Sequence, residues 1–384
     1  MAGKRLYIIA GEASGDLHGS NLMEELLAQQ ADLDIRFWGG DRMKEIGGEP
    51  VKHIRDLAFM GFWEVITNIR TIAANLKFCR KDILTFKPDA LILIDYPGFN
   101  LRIAEWAKKQ GIKVCFYVSP QVWAWKENRV KKIKVSVDEM YVILPFEKEF
   151  YKKHDFAVSY LGHPLLDEVE KFKERALTKE EFYEANELDE RPIIALLPGS
   201  RKQEISVKLP LMLKAGLQFE DYQMVIAGAP SIDKSFYTDL LPKKGGVSIL
   251  YGKTYDLLNQ STAGLITSGT ATLETALLEV PQVVCYKGNP ISYRIAKSLI
   301  KIKYISLVNL IMDEEVVREL IQKECNVAEM KKELKEILPN GNKRETISLK
   351  YIKLIEVLGA GGASKKIAAS ILDKLYKING LICN

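Results

Sequence analysis

Five cysteines in 384 residues, Cys79, Cys115, Cys285, Cys325 and Cys383, are odd in number and widely spaced. They form no C-x-x-C pair, so neither a disulfide framework nor a zinc site is expected, and a reducing compartment suits the chain. No apolar run approaches the length that crosses a bilayer, which leaves only peripheral membrane contact. Leu6-Tyr7-Ile8-Ile9-Ala10 after Lys4-Arg5 is shorter than the core of a secretory signal and lacks a small-residue cleavage site; it reads as a first strand. The excess of basic residues is slight, a formal charge of +5, so nothing calls for nucleic acid. Neither a G-x-G-x-x-G fingerprint nor a Walker loop with its lysine follows that strand, which disfavours a dinucleotide or ATP. Short repeats and low-complexity segments are absent too.

What is present is an ordinary globular composition, 47% hydrophobic and 27% charged, in a chain long enough for two cored domains. Short apolar runs without alternation recur: 6–10, 35–38, 90–94, 114–118, 140–144 and 158–161, then 193–197, 224–227, 247–251, 263–267 and 283–286. Such runs read as strands buried on both faces, and the helical patterns between them make parallel α/β sheets. The expected organisation is a domain over 1–170, a charged linker over 171–191 punctuated by Pro192, and a second domain over 192–345. Helices over 346–384, broken near Gly359 to Ala363, are expected to pack back on the first domain or on a partner subunit.

Two stretches of the second half are shaped for phosphate. After the run ending at Thr267, Ser268, Gly269 and Thr270 open a helix whose first amides have no intrahelical acceptor and lie at the positive end of the helix dipole. No Glu or Gln closes a capping box there, and Glu274, one turn further in, could accept hydrogen bonds from ribose hydroxyls. The run ending at Leu197 breaks into Pro198-Gly199-Ser200-Arg201, which sets a guanidinium at the carboxyl end of a buried strand, where it could fork onto a diphosphate. The pair points to a nucleotide-diphosphate donor.

The first half is acidic where the second is basic. Glu12 and Asp16 in the first loop would repel phosphate but suit sugar hydroxyls or a proton, although Asp16 could equally cap the helix behind it. Asp95 directly follows the apolar run 90–94, where partial desolvation would raise its pKa, and it is the strongest general-base candidate. Trp123 and Trp125 after the next strand either stack on a sugar ring or pack the wall; the basic run Arg129, Lys131, Lys132 and Lys134 reads as a solvated face. His163 in Gly162-His163-Pro164 reads as a hinge residue. Asp32-Leu33-Asp34 matches a metal-holding D-x-D but precedes its strand, at the end of the sheet away from any crevice. In the helical pattern 61–76, Phe62, Ile66, Ile69, Ala73 and Leu76 share a core-facing side, while Trp63, Arg70 and Lys77 lie on another stripe with the composition of a membrane interface.

Taken together, Gly11-Glu12-Ala13-Ser14-Gly15-Asp16, Ser119-Pro120-Gln121-Val122-Trp123-Ala124-Trp125, Leu144-Pro145-Phe146-Glu147, Gly162-His163-Pro164, Leu197-Pro198-Gly199-Ser200-Arg201 and Ser268-Gly269-Thr270-Ala271-Thr272-Leu273-Glu274 resemble the lipid-A-disaccharide synthase family, in order and from residue 6 to about 325. The resemblance implies a GT-B architecture, two Rossmann-like domains with parallel sheets facing across a cleft. It implies an inverting, metal-independent glycosyltransferase without cofactor that joins UDP-2,3-diacylglucosamine to 2,3-diacylglucosamine 1-phosphate through a β(1→6) bond and releases UDP. Such an enzyme is cytoplasmic and peripheral to the anionic inner membrane; a homodimer stays open. The UDP side would comprise Gly199, Ser200, Arg201, Ser268, Gly269, Thr270, Thr272 and Glu274, with Asn309, Glu319 and Gln322 by their place in the family pattern. The acceptor side would comprise Ser14, Asn100, Ser119, Gln121, Trp123 and Trp125 around Asp95, Glu12 and Asp16, with Phe62, Trp63, Arg70 and Lys77 at the membrane. Two departures stand out. Gly98 replaces an acid that many members carry in D-x-P-D-F-N, and Val308 replaces a common Pro. The competing readings are a UDP-sugar 2-epimerase of the same fold, which needs no lipid-facing surface, and a non-catalytic lipid carrier, which leaves the phosphate-shaped turns without a use.

Overall fold

The computed structural model describes residues 3–57, 69–242, 246–299 and 302–377. It divides into two compact units, Met1–Asp167 with Ala360–Asn384, and Glu168–Gly359. The first is built on a parallel sheet of β1 (Arg5–Ala10), β2 (Asp34–Gly39), β3 (Glu49–His53), β4 (Ala90–Ile94), β5 (Lys113–Tyr117), β6 (Glu139–Val142) and β7 (Ser159–Tyr160), in the order β3-β2-β1-β4-β5-β6-β7. Side chains alternate across a strand, so β1 serves two cores. Leu6, Ile8 and Ala10 meet Leu22, Leu26, Ile367 and Ile371 on one face; Tyr7 and Ile9 join Ile83, Phe99 and Ile103 on the other. With helices on both faces, β1 and β5 after their first residue and β4 throughout are buried, which is why their sequences do not alternate.

Part of that first core comes from the end of the chain. Helix Ala363–Lys377 lies against helix Ala13–Gln29, with Gln29 donating to the Lys365 carbonyl at 3.1 Å and the Tyr141 and Ser370 hydroxyls 3.0 Å apart. Its first turn is capped in trans: the Asp167 carboxylate accepts from the amides of Gly362, Ala363 (3.2 Å) and Ser364 (3.0 Å), so both ends of one side chain hold a helix start far away in sequence.

The second unit carries β8 (Ile193–Leu197), β9 (Gln223–Gly228), β10 (Val247–Tyr251), β11 (Ser261–Thr267), β12 (Gln282–Tyr286) and β13 (Glu319–Ile321), all parallel, in the order β10-β9-β8-β11-β12-β13. Helix Arg344–Leu358 belongs to this unit, where the Tyr351 hydroxyl donates to the Val280 carbonyl at 3.2 Å. Residues 171–191 are ordered here as well, as the end of helix Pro164–Lys173 and a helix Lys179–Ala185 whose Thr178 and Glu181 form a reciprocal capping box. No described helix is long and apolar enough to cross a membrane. In each sheet the chain order reverses once, between β1 and β4 and between β8 and β11. Open α/β sheets bind ligands outside the carboxyl ends of the strands at such reversals.

Candidate functional site

At the first reversal β1 leads into Glu12 and β4 into Asp95. Gly11 is required by its neighbour, because a Cβ there would collide with the Tyr96 ring. Asp95 (φ 45°), Tyr96 (φ 48°) and Val118 (φ 62°) all occupy the left-handed region, which costs a non-glycine residue roughly 1–2 kcal/mol. The cost is met by bracing. Asn100, fully buried, donates its amide to the carbonyls of Asp95 (2.8 Å), Ile94 (3.2 Å) and Ile9 (3.4 Å), and the Asp95 amide donates to Tyr117 at 3.0 Å. Asn100 is therefore the girder of the turn and has no amide hydrogen to spare for an acceptor.

Asp95 is half-buried, and burial first, then the charge of Glu12, push its carboxyl up to about 7; the Tyr96 amide opposes the shift. It lines a cavity of about 290 Å³ with Pro97, Val118, Ser119, Gln121, Trp125, Ile143, Leu144 and Glu147. Trp125 is half-exposed, with the Lys126 ammonium 3.9 Å and the Arg129 guanidinium 5.8 Å from its ring centre. Trp123 instead packs edge-on against Phe146, and Ser119 pairs with the Tyr151 hydroxyl at 2.7 Å. Ser14 stands half-buried in the first turn of helix Ala13–Gln29, and Gly98 is exposed, with open space where a side chain would point.

Glu147 went unnoticed as a site residue in the sequence. It is buried, it accepts from the Leu144 amide at 3.0 Å, and burial raises its carboxyl to about 7 against those hydrogen bonds. The sequence signal was the Pro145 to Glu147 opening of a helix right after a strand, which predicts a cap and hides the second raised acid of the cavity. Asp16 moves the other way. Its carboxylate accepts from the amides of Gly40 (2.6 Å), Met43 (3.2 Å) and Arg42 (3.2 Å), so it caps helix Asp41–Ile46 rather than its own helix or a sugar. With its oxygens held by three backbone donors it is scaffold. His163 is buried and, with burial and neighbouring His18 both disfavouring charge, lowered to about 3.

At the second reversal β8 leads into Gly199 (φ 118°), Ser200 and Arg201, and β11 into Ser268 and Gly269. Arg201 is 61% exposed and lies 3.4 Å from Glu204. Helix Thr270–Leu277 starts at Gly269, which has no side chain to cap its leading amides. Thr270 is exposed beside it, and Glu274 accepts from the Tyr255 hydroxyl at 3.0 Å, its carboxyl raised by burial.

Three expected donor-side residues turn out to build the turn from behind. Asn309, fully buried, donates to Val317 (2.8 Å) and Glu319 (3.0 Å) and accepts from Val316 (2.9 Å) and Val317 (3.0 Å). Glu319 also accepts from the Ile305 amide (3.0 Å), the Ser306 amide (2.9 Å) and the Ser306 hydroxyl (2.8 Å). That clasp fixes Ile305 and Leu307, whose carbonyl and amide bind the Ser268 hydroxyl (2.8 Å) and Thr272 hydroxyl (3.3 Å). Thr272, buried and bonded to Gly269, is thus part of the clasp. Gln322 (φ 52°) keeps a buried Nε2 without a partner among the described residues. On the third expected surface, Phe62 and Trp63 lie outside the described residues, whereas Arg70 and Lys77 are exposed on helix Ile69–Phe86.

Comparison with known proteins supplies the chemistry to match. The family model described as Lipid-A-disaccharide synthetase matches residues 6–371. The lipid-A-disaccharide synthase of Trichlorobacter lovleyi is 40% identical over 381 residues, 96% of this chain and 97% of that protein. Among solved structures, a UDP-GlcNAc 2-epimerase from Neisseria meningitidis superposes with a TM-score of 0.67 at 14% identity, covering 96% of this chain and all of that one. A glycosyltransferase of kitacinnamycin gives 0.64 at 14% identity, covering 97% and 99%. At that identity the superpositions speak for the fold alone, the GT-B arrangement that glycosyltransferases and such epimerases share. The family match and the full-length relative decide between them: this chain belongs to the lipid-A-disaccharide synthase family, glycosyltransferases of lipid A biosynthesis.

Proposed function

We propose that the chain transfers 2,3-diacylglucosamine from UDP to the 6-hydroxyl of 2,3-diacylglucosamine 1-phosphate in a single inverting displacement. The observation that carries this reading is Asp95, a raised carboxyl at a sheet reversal, lining a cavity with an exposed tryptophan. Asp95 takes the proton of the 6-hydroxyl as that oxygen forms its bond to the anomeric carbon. The bond from that carbon to the UDP oxygen breaks, and UDP leaves with the electron pair. Glu12 keeps Asp95 basic enough to accept a proton near neutral pH. The charge that grows on UDP is met by Arg201 and the uncapped start of helix Thr270–Leu277, with Gly199, Ser200, Ser268 and Gly269 shaping the two turns. No step calls for a metal ion or a cofactor.

Diacylated sugars reside in a bilayer, so the working place of the chain is the cytoplasmic, anionic surface of the inner membrane. Arg70, Lys77 and the half-exposed Phe78 of helix Ile69–Phe86 suit that contact, with Trp63 as the remaining expectation. The deciding experiment incubates the protein with UDP-2,3-diacylglucosamine with and without the 1-phosphate acceptor, in EDTA. The expected result is a β(1→6) disaccharide 1-phosphate and equimolar UDP only when acceptor is present. An isomerised donor without acceptor, an α-linked product, or turnover that stops in EDTA would each contradict the proposal.

A further inference from the structure

Behind the Gly199 turn lies a side chain that the reaction as proposed leaves without a task. Lys208, in the second turn of helix Lys202–Gly216, is 2% exposed, and its ammonium faces Glu204 at 3.7 Å. Its neighbours on the buried side of the helix, Ile205, Leu209 and Met212, are all apolar. An ammonium out of water costs several kcal/mol unless it is paired, so a lysine at a position that a leucine or methionine would fill marks a need for its charge. Burial lowers the Lys208 pKa, Glu204 opposes that shift, and the two other groups facing the ammonium are the thiols of Cys285 and Cys325.

The need is set by where Glu204 stands. Its carboxylate lies directly against Gly199, so close that a Cβ on that residue would collide with it, and 3.4 Å from Arg201. To reach a diphosphate arriving on the 199–201 turn, Arg201 would have to leave its ion pair, and without Lys208 the carboxylate left behind would then stand unneutralised beside the phosphate. Three charges on one helix face, i, i+3 and i+7, therefore run from guanidinium through carboxylate to buried ammonium.

We propose that Lys208 is a positioning residue for the donor site: it holds and neutralises Glu204, so that Arg201 is released to the UDP diphosphate when the nucleotide binds. This rests on the assignment of the diphosphate to the 199–201 turn. Removing the ammonium leaves Glu204 to grip Arg201 and to repel phosphate. Removing carboxylate and ammonium together takes away the grip and the repulsion at once, so the double variant binds better than the single one.

The test is calorimetric titration of the full chain with UDP, alongside thermal melts. Lys208→Met is expected to weaken UDP binding about tenfold, Lys208→Arg to retain most of it, and Glu204→Gln/Lys208→Met to return to within about twofold of the parent. A residue that only supports the fold would give losses that add, with the double variant at least as weak as the single. Unaltered UDP affinity in Lys208→Met, or a double variant no better than it, overturns the inference. Should Lys208→Met not fold, Glu204→Gln carries the same test: UDP affinity equal to or above the parent supports the inference, and weakened affinity overturns it. Arg201→Ala separates the underlying reading. If it binds UDP as the parent does, the assignment of the diphosphate to this turn fails, whatever Lys208 does.

Discussion

In the first unit β1 and β4 end in Glu12 and Asp95, and in the second β8 and β11 end in Arg201 and in a helix start with no side-chain cap. The local architecture is the same, a buried parallel strand breaking into a turn and a helix at the point where the strand order reverses. The electrostatic character is opposite: a raised carboxyl beside a second acid in the first unit, and a guanidinium with the positive end of a helix in the second. The contrast between buried carboxylates is sharper still. Glu319 and Asp16 are surrounded by amide and hydroxyl donors and act as scaffold, whereas Asp95 has little but one backbone amide against burial and a neighbouring charge. Under the proposed mechanism, the acid assigned to proton transfer is the one with the fewest donors around it, not one that is merely buried.

The comparison is tested most severely at its basic end. Arg201→Ala is expected to lower turnover by about 100- to 1000-fold, since a fixed cation facing charge that develops in the transition state is worth several kcal/mol. Steady-state assays with saturating acceptor would read it. At the acidic end, Asp95→Asn should lower kcat about 100-fold with UDP affinity little changed, because the amide keeps size and shape but takes no proton.

That variant should also be the more stable protein at alkaline pH. A carboxyl raised to about 7 in the folded chain holds a proton that the unfolded chain releases near its ordinary value. Stability therefore falls as pH climbs from about 4 to about 7, and the asparagine escapes that loss. Melting curves at pH 8 should place Asp95→Asn above the parent. Glu319→Ala should do the reverse, costing about 2–4 kcal/mol by stranding the amides it satisfies. Denaturant titration would show whether it is scaffold as described.

Smaller effects lie at the periphery. Arg70→Ser with Lys77→Ser should weaken flotation with anionic liposomes by about 1 kcal/mol per charge and leave UDP binding intact. Gly98→Asp should fold normally, since nothing crowds the position, and should change turnover less than twofold if Asp95 alone carries the base.

Much of this was legible in the residues, and what was not has physical reasons. Runs such as Ala90–Ile94 and Ile193–Leu197 announce buried parallel strands because no polar residue interrupts them. β3, with Pro50 and partly exposed throughout, and β13, only three residues long, carry no such pattern, so neither was expected. The placement of Asp95 and Arg201 at strand ends was legible because Asp95 directly follows an apolar strand and only a Pro-Gly-Ser turn separates Arg201 from one. Asp16, Asn309 and Glu319 were not, for a motif names a residue type and a position but not its hydrogen-bond partners. Those partners come from segments distant in sequence, Gly40 for Asp16 and Ile305 for Glu319. Glu147 is hidden for a different reason: its partner Leu144 is local, and the capping pattern conceals which cavity it faces.

The central claim is that Asp95 is the base and that Glu12 tunes it, and the pH dependence of kcat/KM in the parent and in Glu12→Gln tests it most directly. The rate should rise with pH through about 7, as Asp95 gives up its proton. In Glu12→Gln the same limb should move to lower pH, because the charge that disfavours ionisation of Asp95 is gone. A parent profile flat across that range, or a limb that stays in place when Glu12 loses its charge, would contradict it.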